Sequence, residues 1–182
     1  YKKKLVQMGE DPKNIFNFGN ISLDNLKREV FVPKEKIEKK FNIKFNKINF
    51  LVTYHPETLS EKSSKLHFKE ILKAISKFKK YNFIFTSSNS DEKGNIINSM
   101  IVKYVKKRKN AFYVKSFGQT YYFSVLKNVD GVIGNSSSGI TEAPSFKIGT
   151  INIGDRQKGR IKCESIIDSP SKNKKIYNSI KK

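Results

Sequence analysis

Short apolar runs alternate along this chain with segments whose apolar residues recur every three or four positions. Ile48–Tyr54 reads as a buried strand. From Ser60 onward, Phe68, Ile71, Leu72, Ile75 and Phe78 fall on one helical face, with lysines over the other. Asn82–Thr86 is a second strand. After the polar loop 87–95, a second helix carries Ile96, Ile97, Met100, Ile101 and Tyr104. Ala111–Val114 and Val129–Ile133 are further strands, separated by a short helix at Tyr121–Leu126. Glu142–Phe146, Thr150–Ile153 and Glu164–Asp168 continue the alternation. Strands and helices alternating across short loops require right-handed crossovers. They predict an α/β fold, a parallel sheet with helices on both faces.

The first 18 residues stand outside this rhythm, with a helical scrap at Lys4–Met8 and a strand-like Ile15–Phe18. Turn formers at Gly9–Pro12 and Gly19-Asn20 accompany them. Both ends read as cut. Residues 1–25 are expected to be the tail of a preceding domain and a hinge, and 26–168 one α/β domain. Residues 169–182 would then begin a C-terminal helix that stops without a cap. A chain of 182 residues suffices for one such domain with a real core.

A hydrophobic fraction of 37% excludes general disorder, and no apolar run is long enough to cross a bilayer. The single Cys163 can form no intrachain disulfide, which fits a reducing, cytoplasmic setting. The net charge of +21 raises the question of nucleic acid. The lysines, however, are spread through nearly every segment, as solvated faces such as Lys34–Lys40 and Lys103–Lys109. Arginine forks interleaved with aromatics, the usual means of reading bases, are missing. A basic nucleic-acid-binding module therefore stays as the alternative of another class, and the positive field suits an anionic small substrate.

The richest chemistry lies in Gly134–Ser145. Two glycines and three consecutive serines follow an apolar strand and lead into a helical segment. Backbone N–H groups, hydroxyls and a helix N-terminus there suit a phosphate. Glu142, about one helical turn further on, is placed to accept hydrogen bonds from sugar hydroxyls. A serine-capped helix in a polar loop is the plainer reading of the same residues. Parallel sheets bind ligands at the carboxyl ends of their strands, and other polar loops fall at that end. His55, before Pro56, can donate a hydrogen bond or proton to a leaving oxygen, or merely satisfy loop carbonyls. Asn89, in 86–91, can reach a phosphate or sugar, or form an Asx turn. Arg156 and Arg160 offer planar forks in a lysine-rich protein, or belong to a surface charge run. His67, inside a charged helix, reads as a surface residue.

Together, His55-Pro56 after a strand, GNSSSGITEAPSF at 134–146 and INIGDRQKGR at 151–160 closely resemble the hydrolysing UDP-N-acetylglucosamine 2-epimerases of sialic and legionaminic acid pathways. GEDPKNIFNFGNISLDN at 9–25 resembles that family's crossing between domains. The resemblance implies two Rossmann-like halves in a GT-B arrangement, of which this chain is the second, with the nucleotide sugar between them. By motif, Ser136 and Ser137 would bind the diphosphate, Glu142 the ribose, and Arg156 would lie near the uridine end. His55 would assist departure of UDP, Asn89 would serve the phosphate region, and Phe117 would pack near the uracil. The implied reaction is elimination of UDP from UDP-N-acetylglucosamine, or from a diacetylated bacillosamine sugar, followed by hydration of the glycal. No metal or redox cofactor, specific nucleic acid or membrane is expected; a homo-oligomer is expected for the longer protein. The proton-transfer carboxylates would lie in the missing N-terminal domain, leaving these residues inactive alone. A GT-B glycosyltransferase donor domain is the enzymatic alternative.

Overall fold

The computed structural model describes residues 1–26, 28–57, 61–89 and 92–182. Thr58, Ser90 and Asp91, and the helix start expected at Ser60, lie outside the described residues. In chain order the elements are α1 (Lys2–Gln7), α2 (Ser22–Leu26), α3 (Lys34–Phe41), β1 (Asn49–Thr53), α4 (Glu61–Ile75), β2 (Asn82–Thr86) and α5 (Glu92–Val105). They continue with β3 (Ala111–Val114), α6 (Gly118–Leu126), β4 (Gly131–Gly134), α7 (Ser138–Thr141), β5 (Gly149–Ile153), β6 (Ile166–Ser169) and α8 (Asn173–Ile180). Short 3-10 turns occupy Pro12–Asn14 and Ala143–Phe146.

All six strands are parallel, in the order β3-β2-β1-β4-β5-β6. Val52 in β1 sits level with Phe85 in β2 on one side and Ile133 in β4 on the other. Strand residues alternate between two cores, as the period of two demands. Val52, Phe83, Phe85 and Ile133 face α4, α5 and α8, while Leu51, Ile84, Val114 and Val132 face α3 and α6. This is a Rossmann-like sheet covered on both faces. The chain reverses direction across the sheet between β1 and β4, and that switch point opens a crevice at the strands' carboxyl ends.

Several expectations shift. Ile15–Phe18 forms no strand: Phe16 and Phe18 stack on each other and stay exposed, and among the described residues no strand pairs with them. Phe78 lies in the turn after α4, packed on Tyr81 and Tyr177, because the helix ends at Ile75. Glu142–Phe146 is not a continuing helix. Pro144 lacks the N–H a second α-turn needs, so α7 stops after one turn and a 3-10 turn succeeds it. The boundary placed after residue 168 falls inside β6, and α8 buries Ile176 and Ile180 in the same core as β5. The face taken for solvated lysines at 34–40 is α3, which buries Ile37 completely. Among the described residues no helix is long and apolar enough to cross a membrane.

Candidate functional site

The carboxyl ends of β1 to β4 surround a cavity of about 420 Å³. Thr53, Thr86, Ser87, Phe117, Ser136 and Glu142 are among the residues lining it. Thr53 and Thr86 join their hydroxyls at 2.5 Å across the neighbouring strands β1 and β2. Phe117 forms an apolar wall. Its ring is buried and meets Phe41 edge-on, with centroids 4.7 Å apart. Tyr122 shares a short hydrogen bond with the Ser138 hydroxyl, and burial pushes its phenol well above the usual range, with Glu142 nearby adding to the rise. Among the described residues the lining thus combines the rings of Phe117 and Phe123, several hydroxyls, Lys115 and one carboxylate, that of Glu142.

The serine turn is shaped by one tight approach. Gly134 has φ 138°, and a Cβ there would lie 1.8 Å from the Thr53 carbonyl oxygen. That carbonyl also accepts the Asn135 N–H at 3.1 Å, so β4 ends clamped against β1. Ser136 lines the cavity, and its hydroxyl lies 3.4 Å from the Ser138 N–H that donates to it. Ser137 opens α7, but its hydroxyl makes no capping bond, and it does not line the cavity. Since α7 is one turn long, the turn's attraction for an anion rests on N–H groups and hydroxyls rather than on a long helix dipole. Glu142 closes that single turn, donating its N–H to the Ser138 carbonyl at 2.9 Å.

His55 and Asn89 sit beside the turn and meet each other: the Asn89 N–H donates to His55 Nδ1 at 3.2 Å. Neither lines the cavity. Arg156 does not line it either; its Nη1 donates to the Asn135 carbonyl at 3.0 Å and braces the serine turn. Arg160 is exposed. Cavity and motif therefore unite Phe117, Ser136 and Glu142, and leave His55, Asn89, Ser137 and Arg156 around the turn's outer side.

Two residues that sequence reasoning passed over hold this arrangement. Asn135, fully buried, bonds the backbone of His55 on both sides, and buried Gln157 donates Nε2 to the Asn135 carbonyl at 2.7 Å. Their signal was a neutral amide inside each motif, between residues with more obvious chemistry. His67 is also not a plain surface residue. It is half-buried and lines a second cleft of about 550 Å³ with Glu57, Lys158, Asp168 and Ser171. There Lys162 reaches Asp168 at 2.7 Å and, with Asn152, holds its carboxyl below the usual range. Gly154, at φ 77°, leaves room for the Glu57 carboxylate, which a Cβ would meet at 2.5 Å.

The family model for UDP-N-acetylglucosamine 2-epimerase matches residues 1–182. The chain belongs to this family. It is 42% identical over 170 residues to a hydrolysing GDP/UDP-N,N'-diacetylbacillosamine 2-epimerase of Campylobacter jejuni, covering 93% of this chain and 44% of that protein. Identity with the polysialic acid biosynthesis protein P7 of Escherichia coli is 41% over 181 residues, covering 99% and 46%. In fold, the chain is similar to the UDP-GlcNAc 2-epimerase of Neisseria meningitidis solved with UDP-GlcNAc. That match has a TM-score of 0.74 at 17% identity, over 99% of this chain and 50% of that one. The chain spans about half the length of the curated relatives it matches.

Proposed function

We propose that this chain supplies the UDP-holding half of a hydrolysing UDP-sugar 2-epimerase. The observation that carries the reading is the cavity at the switch point, which Ser136 and Glu142 of one short turn line together with Phe117. A nucleoside diphosphate presents groups that match these: an aromatic base, a ribose diol and a dianionic tail. Phe117 would pack near the uracil, Glu142 accept from the ribose hydroxyls, and Ser136 with Ser137 donate to the diphosphate. His55 and Asn89 would stand at the diphosphate, His55 assisting its departure, with Arg156 toward the uridine end through its grip on the turn.

In the reaction, a base removes the proton at carbon 2 as the bond from carbon 1 to the diphosphate oxygen breaks. This leaves a glycal and UDP. Water then adds, hydroxyl to carbon 1 and proton to carbon 2 from the opposite face, giving N-acetylmannosamine from UDP-N-acetylglucosamine. A diacetylated bacillosamine sugar is the second candidate substrate, favoured by the name of the 42%-identical relative. Departure of the diphosphate is the step these residues serve, through donors aimed at developing negative charge. The base would come from an N-terminal domain, with 1–25 as tail and hinge and the UDP-binding domain running from residue 26 through β6 and α8. The setting would be cytoplasmic, in sialic or legionaminic acid synthesis, and the longer protein a homo-oligomer.

Calorimetric titration of the 182-residue chain with UDP, beside a turnover assay for UDP-N-acetylglucosamine, tests this. Binding of UDP without N-acetylmannosamine release is the expected pair of results. No UDP binding, or appreciable turnover by this chain alone, would overturn the reading.

A further inference from the structure

The His55 loop and the serine turn leave neighbouring strands, and one side chain ties them together. Asn135 Oδ1 accepts the His55 backbone N–H at 2.7 Å, and Asn135 Nδ2 donates to the His55 carbonyl at 2.8 Å. The amide thus closes a two-bond ring with the backbone of a residue 80 positions away. Asn135 is itself immobilised. It is fully buried, and its own carbonyl takes Gln157 Nε2 at 2.7 Å and Arg156 Nη1 at 3.0 Å. Turning it aside would strand buried donors and acceptors.

The imidazole of His55 is oriented by a third contact, the Asn89 N–H at Nδ1. A backbone N–H can only donate, so Nδ1 must offer its lone pair. In the neutral ring the proton then sits on Nε2.

We propose that Asn135 is the positioning residue for His55: by gripping the His55 backbone on both sides, it holds Nδ1 against the Asn89 N–H and keeps the ring in the Nε2–H tautomer. The functional meaning rests on the UDP reading above, in which His55 serves the departing diphosphate. The Nε2–H tautomer offers a diphosphate oxygen a hydrogen-bond donor; the other tautomer would turn a lone pair toward it. The tautomer itself belongs to the chain and needs no ligand.

The test is nitrogen-15 NMR of the imidazoles in the 182-residue chain, at a pH where they are neutral. Only two histidines are present, so His67→Gln identifies the His55 signals. In the wild-type chain Nδ1 should show the shift of an unprotonated ring nitrogen and Nε2 that of a protonated one. Asn135→Ala should bring both toward averaged values, the mark of mixed tautomers. Asn135→Asp, which keeps an acceptor for the His55 N–H but loses the donor to its carbonyl, should fall between. Isoleucine methyl spectra report whether each variant is folded, and the aspartate variant decides if the alanine one is not. Wild-type signals showing the proton on Nδ1, or mixed tautomers, would overturn the proposal. So would a folded variant that keeps the wild-type pattern. A chain with the Nε2–H pattern that fails to bind UDP would end the UDP reading and leave the tautomer standing. One that binds UDP with the Nδ1–H pattern would do the reverse.

Discussion

At Gly134 the backbone runs so close to β1 that any side chain would collide with the Thr53 carbonyl. Gly134→Ala should therefore destabilise the chain by about 4 kcal/mol or more, a cost that only backbone rearrangement could relieve. Urea unfolding measures it, and a wild-type midpoint would show that β4 does not need this approach. Glu142 and Ser136 carry the ligand predictions. Replacing Ser136 and Ser137 together with alanine removes two hydroxyls, and UDP should bind roughly tenfold or more weakly, the scale of a lost bond to a charged group. If those serines merely shaped the turn, the variant would lose stability and keep its affinity per folded molecule. Glu142→Gln should weaken UDP by a similar factor yet leave 2'-deoxy-UDP nearly unaffected, a cycle that isolates the ribose contact. Ser136 and Glu142 were legible because they lie in one contiguous motif. Asn135 and Gln157 were not, since their partners lie 80 and 22 residues away.

Elements were legible where apolar spacing was long and regular, as in α4 and α5, and less so where one turn decides the outcome. The single turn of α7 ends before Pro144, and only the packed chain reveals the 3-10 turn beyond it. α8 is a different case: a C-terminal helix was expected there, but its docking into the sheet's own core was not legible in so lysine-rich a segment. It docks because Ile176 and Ile180 enter the core of β5 and α4, and because the Glu70 carboxylate holds its first turn, accepting the Asn173 N–H at 3.0 Å and the Asn173 side-chain amide. Lys73, at 2.7 Å, and then Asn173 hold the Glu70 carboxyl at about 2, below an ordinary value of 4.5. A carboxyl whose folded value is depressed adds stability that is complete above its unfolded value and lost as pH falls toward its folded one. α8 docking should therefore weaken between about pH 4.5 and pH 2. Glu70→Gln should flatten that dependence, as hydrogen exchange of the α8 amides would show; an unchanged acid profile would exclude Glu70 as its source.

For the whole molecule, the charge of +21 sets conditions rather than identity. UDP affinity should fall as salt rises from roughly 0.05 to 0.5 M, because screening weakens the field acting on the diphosphate. An oligonucleotide that binds with the same salt dependence but is not displaced by UDP would favour the nucleic-acid alternative. The period-two strands, the three-and-four helices and the short links between them determined the parallel α/β sheet. The contiguous motifs placed a serine-rich turn and a carboxylate at the carboxyl ends of its strands, because those are local properties of the chain. The strand order, and with it the crevice between β1 and β4, was decided only by tertiary packing, since parallel neighbours are joined through crossovers that local pattern leaves free. So was the division of the motif residues, with Ser136, Glu142 and Phe117 on the cavity wall and Arg156 braced behind the turn. Which way a side chain faces at a strand end depends on what the neighbouring strand offers it, here the Asn135 carbonyl, and that neighbour comes from a distant part of the chain.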